Sequence, residues 1–131
     1  MPEVAPAVCL VDDDASVRKS IARLLESSGF KVDAFSEPEA FLTHLVTHFV
    51  PVAVLDIWMN NTTGMVFAHL CARSPQTRVI FITGREDYAA ETTVKQAGAF
   101  AFFLKPFDNK RFLAAVQDAF AHTVSDKEER T

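Results

Sequence analysis

The sequence predicts an α/β domain: a doubly wound, five-stranded parallel sheet in the order 2-1-3-4-5, with helices on both faces. Two observations predict it. Five short β-rich runs, "AVCLV", "FKVDAF", "VAVLDI", "RVIFIT" and "AFFLK", alternate with longer stretches of helical periodicity. The third and fourth runs are apolar on both alternating faces, as central parallel strands are, whereas "FKVDAF" is amphipathic and suits an edge. Right-handed crossovers between successive strands then place helices on both sides of the sheet.

Each helix has its own signal. In the first, Val17, Ile21, Leu24 and Leu25 recur at helical spacing and Gly29 ends the run. The second opens on Ser36 with Glu39 three residues later, the pattern of a capping box, and Pro38 lies in its first turn. Phe41, Leu42, Leu45 and Val46 supply its inward stripe. Phe67, Leu70 and Cys71 mark a third helix, ended near Ser74-Pro75. A fourth covers Asp87 to Ala97 with Gly98 as its left-handed cap, and a fifth starts after Asp108 and uses Phe112, Val116 and Phe120. Past His122 the chain turns polar ("SDKEERT"), so residues 1–122 read as one domain and 123–131 as a polar tail or the start of a linker.

Composition narrows the function. With 49% hydrophobic residues in 131, the chain is long and apolar enough for a real core and is not disordered. A net charge of −4 without a Lys/Arg cluster argues against direct nucleic-acid binding. Two cysteines, Cys9 and Cys71, read as reduced core residues with no disulfide framework and no metal-ligand spacing. His44, His48, His69 and His122 are spread over predicted helices and read as solvated or satisfied positions. "MPEVAPA" lacks a signal-peptide pattern, and no apolar run is long enough to span a bilayer, so the expectation is a soluble cytoplasmic domain with no membrane contact.

The chemistry lies at the strand ends. In an open α/β sheet ligands bind beyond the carboxyl edge, where strand order reverses, here between strands one and three. Asp12 and Asp13 close strand one and Asp56 closes strand three. Three carboxylates in one crevice cannot all stay ionised cheaply without a cation, and an oxygen-only donor set suits Mg²⁺. Strand four ends in Thr83-Gly84, a hydroxyl beside a residue that admits close backbone approach, and strand five ends in Lys105-Pro106, an ammonium beside a residue able to adopt a cis peptide. A nucleophile with three neutralising contacts is what a phosphoryl group requires.

These elements, "VDDD", "DIWM…G", "FITG" and "FLKPF" in order from about Val8 to His122, resemble the receiver domain of two-component response regulators, a flavodoxin-like fold. The resemblance implies that Asp56 is the phosphoacceptor, that Asp13 binds Mg²⁺ directly and Asp12 through water, and that Trp58 gives its backbone carbonyl to the metal. It likewise implies that Thr83 is the switch hydroxyl, Lys105 the phosphoryl-contacting lysine and Phe102 the aromatic switch residue. Asp14 has no carried-over role and reads as a helix cap. The chain departs from the pattern at Asn60, where members often carry proline. "VDDDASVRKSI" and "FITGRED" suggest the subfamily with a helix-turn-helix (LuxR-type) output.

The expected function is a phosphorylation-activated signalling switch that takes a phosphoryl group from a sensor histidine kinase onto Asp56. The domain is expected to catalyse its own phosphoryl transfer without a separate substrate, and so not to be an enzyme; regulation of transcription through an output domain absent from this chain is the expected output. One alternative is a phosphorylation-independent protein-binding module. A Mg²⁺-dependent phosphohydrolase is disfavoured, because Trp58 stands where such an enzyme needs a second aspartate. The resemblance also implies that the side chains two positions after the acceptor and two after the switch hydroxyl, here bulky Trp58 and Arg85, flank the path of attacking water and slow it. In "AFAFFLKPF", strand alternation puts Phe100 and Phe102 on one face and Ala101 and Phe103 on the other, leaving aromatic surface beside the fourth helix. A phosphorylation-dependent homodimer through the fourth helix and fifth strand is expected there.

Overall fold

A computed structural model of the chain describes residues 7–56, 70, 72–84 and 88–129, with side chains at all of these except 88–90 and 122–129. Its elements are β1 (Ala7–Val11), α1 (Ala15–Ser27), β2 (Lys31–Phe35), α2 (Pro38–Thr47), β3 (Val52–Asp56), β4 (Arg78–Thr83), α3 (Tyr88–Gln96), β5 (Ala101–Leu104) and α4 (Asn109–Glu129). All neighbouring strands pair in parallel, in the order β2-β1-β3-β4-β5. Of the predicted third helix, Leu70, Ala72 and Arg73 are helical, and Phe67 and Cys71 lie outside the described residues.

Strict alternation along the central strands feeds two cores. Cys9 and Val11, Ala53 and Leu55, and Val79 and Phe81 face one side, packed against Phe41 of α2 and Val94 of α3. Val8 and Leu10, Val52 and Val54, and Ile80 and Ile82 face the other, against Ile21 and Leu25 of α1 and Phe112 and Val116 of α4. Because both faces are covered, β3 is buried along its whole length, whereas the edge strand β2 is partly exposed throughout. Each fully buried large side chain, such as Phe81 or Leu55, contributes about 1.5–3 kcal/mol of transfer free energy.

The helix ends follow from particular residues. Asp14 caps α1, its carboxylate accepting from the Ser16 and Val17 amides at 2.9 and 3.2 Å. At the other end Gly29 adopts φ +93°, the Gly29 amide donates to the Glu26 carbonyl and the Phe30 amide to the Leu25 carbonyl. Gly98 repeats this at the end of α3 with φ +107° and bonds to Lys95 and Val94. Both are Schellman closures, and the apolar contact that accompanies them is present, with Phe30 and Leu25 in one core and Ala99 and Val94 in the other.

Several expectations are corrected. Ser36 and Glu39 do not form a capping box. The N-cap is Glu37, with extended backbone and no side-chain capping bond, because Pro38 occupies the first helical position and disfavours helical backbone in the residue before it. Val46 does not face inward but is 82% exposed; it lies roughly 90° around the helix from the stripe of Phe41, Leu42 and Leu45. Phe100 does not share a face with Phe102. It precedes β5, so strand alternation does not govern it, and it packs with Ala101 and Phe103 on the α1/α4 side while Phe102 packs on the α2/α3 side. The aromatic residues of this segment are all half-buried; among the described residues the exposed aromatic is Phe49. The last helix, α4, runs to Glu129, through the segment where the sequence turns polar.

A Cβ added at Gly29 meets nothing within 4 Å, so substitution there tests backbone conformation alone. Gly29→Ala should lower stability by about 1–2 kcal/mol, the cost of a left-handed alanine, measured by urea denaturation with an unchanged m-value.

Candidate functional site

The β1–α1 turn is built around Asp12. Its amide still pairs with the Phe35 carbonyl at 3.1 Å, extending the β1–β2 ladder by one residue. Its side chain is fully buried. Oδ1 accepts from the Asp14 amide at 2.9 Å, an Asx-type turn that swings the chain into α1. Oδ2 receives Lys105 Nζ at 2.9 Å. The Asp12 carbonyl accepts from Arg18 Nη1 at 2.7 Å.

Asp56, the last residue of β3, is 7% exposed, and its Oδ2 lies 3.4 Å from the same Lys105 Nζ. Asp13 is exposed and opens the group to solvent. One carboxylate oxygen from each of Asp12, Asp13 and Asp56 lies within 4.8 Å of the others. Among the described residues, three carboxylates thus face one ammonium, an arrangement of charge that a divalent cation would complement. All the donors are oxygens, and hard cations prefer such sets. The residues present therefore fit a Mg²⁺-type ion.

Lys105 owes its position to the aromatic residues on either side. Phe103 and Phe107 both pack on Phe112 of α4, with ring centroids 5.7 and 4.6 Å away, and pin the chain before and after Lys105. The Lys105 amide donates to the Thr83 carbonyl at 2.6 Å, and the Lys105-Pro106 peptide is cis. Thr83 is fully buried at the end of β4. Phe102 is the register partner of Phe81, and alternation puts Phe81 and Thr83 on the same face. Thr83 and Phe102 therefore share the α2/α3 side of the sheet.

Trp58, the expected carbonyl ligand, lies outside the described residues, as do Asn60 and Arg85. Among the described residues, a Cβ added at Gly84 meets nothing within 4 Å. Arg18 was not singled out by the sequence. Its position one turn past the Asp14 cap was the only available signal, since what it touches is a main-chain carbonyl.

Lys105 is the ammonium that faces the two buried carboxylates. Lys105→Met should destabilise the metal-free protein by about 1–3 kcal/mol, the cost of leaving a buried acceptor without its partner, and millimolar Mg²⁺ should recover part of that loss in thermal melts.

The family described as "Response regulator receiver domain" matches residues 8–117. The transcriptional regulatory protein FixJ of Azorhizobium caulinodans is 38% identical over 118 residues, covering 89% of this chain and 56% of FixJ. The C4-dicarboxylate transport transcriptional regulatory protein DctD of Rhizobium meliloti is 33% identical over 116 residues, covering 88% of this chain and 25% of DctD. The chain thus spans a quarter to about half the length of these relatives. Among solved structures, the beryllofluoride-activated NtrC4 receiver domain dimer superposes with a TM-score of 0.84 at 30% identity, covering 90% of this chain and 98% of that one. A receiver protein from Burkholderia phymatum gives 0.79 at 34% identity, covering 88% and 95%. With a family match that runs from Val8 in β1 into α4 and takes in every strand end described above, the chain belongs to the response regulator receiver domains.

Proposed function

We propose that this chain is a signalling switch that takes a phosphoryl group from the phosphohistidine of a sensor histidine kinase onto Asp56. The observation that supports it most directly is Lys105 Nζ, within 2.9 Å of Asp12 Oδ2 and 3.4 Å of Asp56 Oδ2. An ammonium there can follow a phosphoryl oxygen as charge develops on it. An Asp56 oxygen attacks phosphorus in line, the P–N bond to the donor imidazole breaks, and an acyl phosphate remains on Asp56. Asp12, Asp13 and Asp56, with the Trp58 carbonyl, would hold Mg²⁺, which when bound offsets charge on the phosphoryl oxygens. A groove lined by Val17, Ile21 and Leu24 of α1 and by Pro106 and Phe107 reaches Lys105, and offers the phosphodonor protein a surface next to the site.

Thr83 and Phe102 couple the chemistry to the surface. A phosphoryl group on Asp56 draws the Thr83 hydroxyl toward it, and Phe102, on the same face of the sheet, turns into the space left. Two discrete packings give a two-state response. The surface that changes is the one formed by α3 and the edge strand β5. There Lys95 and Glu91 form an exposed ion pair, and Leu104 is 41% exposed. The NtrC4 receiver domain, similar to this chain, is a dimer when activated by beryllofluoride.

Intact-mass measurement after incubation with acetyl phosphate and Mg²⁺ should show one added phosphate, absent in Asp56→Asn. No adduct in wild type would favour a phosphorylation-independent binding module instead. Light scattering across a concentration series should show a monomer that becomes a two-fold dimer with beryllofluoride and Mg²⁺, weakened at least several-fold by Lys95→Glu. A mass that stays monomeric when beryllofluoride is bound would remove the dimer from the mechanism.

A further inference from the structure

Beneath α2, on the face of the sheet that also carries Thr83 and Phe102, three side chains of different donor chemistry meet. Cys9 of β1 and Asp33 of β2 are register partners, so their side chains stand next to each other on one face. His44 of α2 covers them, with Nε2 3.9 Å from Asp33 Oδ2. One ligand atom from each of Cys9, Asp33 and His44 lies within 4.8 Å of the others. They lie far apart in sequence, so no spacing motif announces them.

A hydrogen-bonded core cluster explains this arrangement poorly. A separation of 3.9 Å between His44 and Asp33 exceeds hydrogen-bond reach, so no direct hydrogen bond joins the pair. The His44 ring is held in place, stacked on His48 at 4.1 Å with 4° between the planes and tilted against Phe35 at 5.4 Å. Cys9 is buried, while the side chains of Asp33 and His44 are 33% and 21% exposed, so the cluster opens to solvent at its oxygen and nitrogen end. Ligands around a tetrahedral zinc stand about 3.3–3.7 Å apart, given bonds of about 2.3 Å to sulfur and about 2.0–2.2 Å to nitrogen and oxygen. Contracting the cluster to that size takes shifts of about an ångström, which rotation of the partly exposed Asp33 carboxylate and of the Cys9 thiol toward the fixed His44 ring would supply.

We propose that Cys9, Asp33 and His44 form a second cation site, for a thiophilic divalent ion such as Zn²⁺, with a solvent-facing fourth position. It differs from the carboxylate pocket in kind. A thiolate among its donors selects against Mg²⁺, whereas the oxygen-only set at the strand ends does not select for zinc. Burial, with Asp33 alongside, pushes the Cys9 thiol up to about 12, so the metal-free residue is neither a nucleophile nor a thiolate. Binding therefore forms a metal–sulfur bond and releases the thiol proton to water. The bound ion ties α2 to β1 and β2.

Cobalt(II) is the probe, added to the whole chain with excess Mg²⁺ occupying the carboxylate pocket. One equivalent should produce a thiolate-to-metal charge-transfer band, bleached by stoichiometric Zn²⁺. Cys9→Ser should abolish the band. His44→Gln, on the partly exposed side and tolerable to the fold, should weaken cobalt binding at least tenfold while its melting curve without metal stays cooperative. Absence of the band in wild type, binding with oxygen-ligand spectra only, or a band that survives Cys9→Ser and disappears in Cys71→Ser would each overturn the proposal.

Discussion

A buried carboxylate governs the carboxyl edge of this sheet. Asp12 has no exposed surface, and removing a charge from water costs several kcal/mol unless its lone pairs are engaged. One oxygen takes the Asp14 amide and so sets the turn into α1; the other takes Lys105 and so brings the end of β5 to the end of β1. Arg18 holds the main-chain carbonyl of the same residue. Together these bonds bring Lys105 close to Asp56, and among the described residues they set three carboxylates against one ammonium. The bonds that shape the turn thus also assemble the carboxylates that would hold a cation.

The two-sided sheet decides what that pocket can influence. Phe103 and Phe107 clamp Lys105 to α4 on one side, and Thr83 and Phe102 lie on the other. The clamped side offers a fixed charge. The other offers a half-buried ring on the same face as a fully buried hydroxyl, and a half-buried ring has two environments to choose between. In the proposed switch, a change at Asp56 is therefore expressed toward α3 and β5 rather than toward α1 and α4.

The α2 face adds a different chemistry. Cys9 and Val11 come from the same strand and the same core, yet Cys9 sits under a partly solvated Asp33 and His44, and Val11 does not. One strand thus supplies a sulfur to one cluster and, at its end, carboxylates to the other. In the proposed second site the donors differ enough from those of the carboxylate pocket that hard and soft cations would separate between them.

Periodicity and end signals determined the five strands, the parallel sheet, its order, and the arrival of Asp12, Asp13 and Asp56 at one edge. These follow from local rules: a side-chain period of two along strands, left-handed closures at Gly29 and Gly98, and a handed crossover after each strand. Tertiary structure decided what depends on contacts between elements. Pro38 moved the start of α2 away from Ser36, the angular position of Val46 turned it to solvent, and Phe100 fell before the strand whose alternation would have placed it. Arg18 meets a main-chain carbonyl, which no side-chain pattern encodes. Cys9, Asp33 and His44 meet only because β1 and β2 pair in one register and α2 lies over that pair at one height, and register and height are set by packing across the whole sheet.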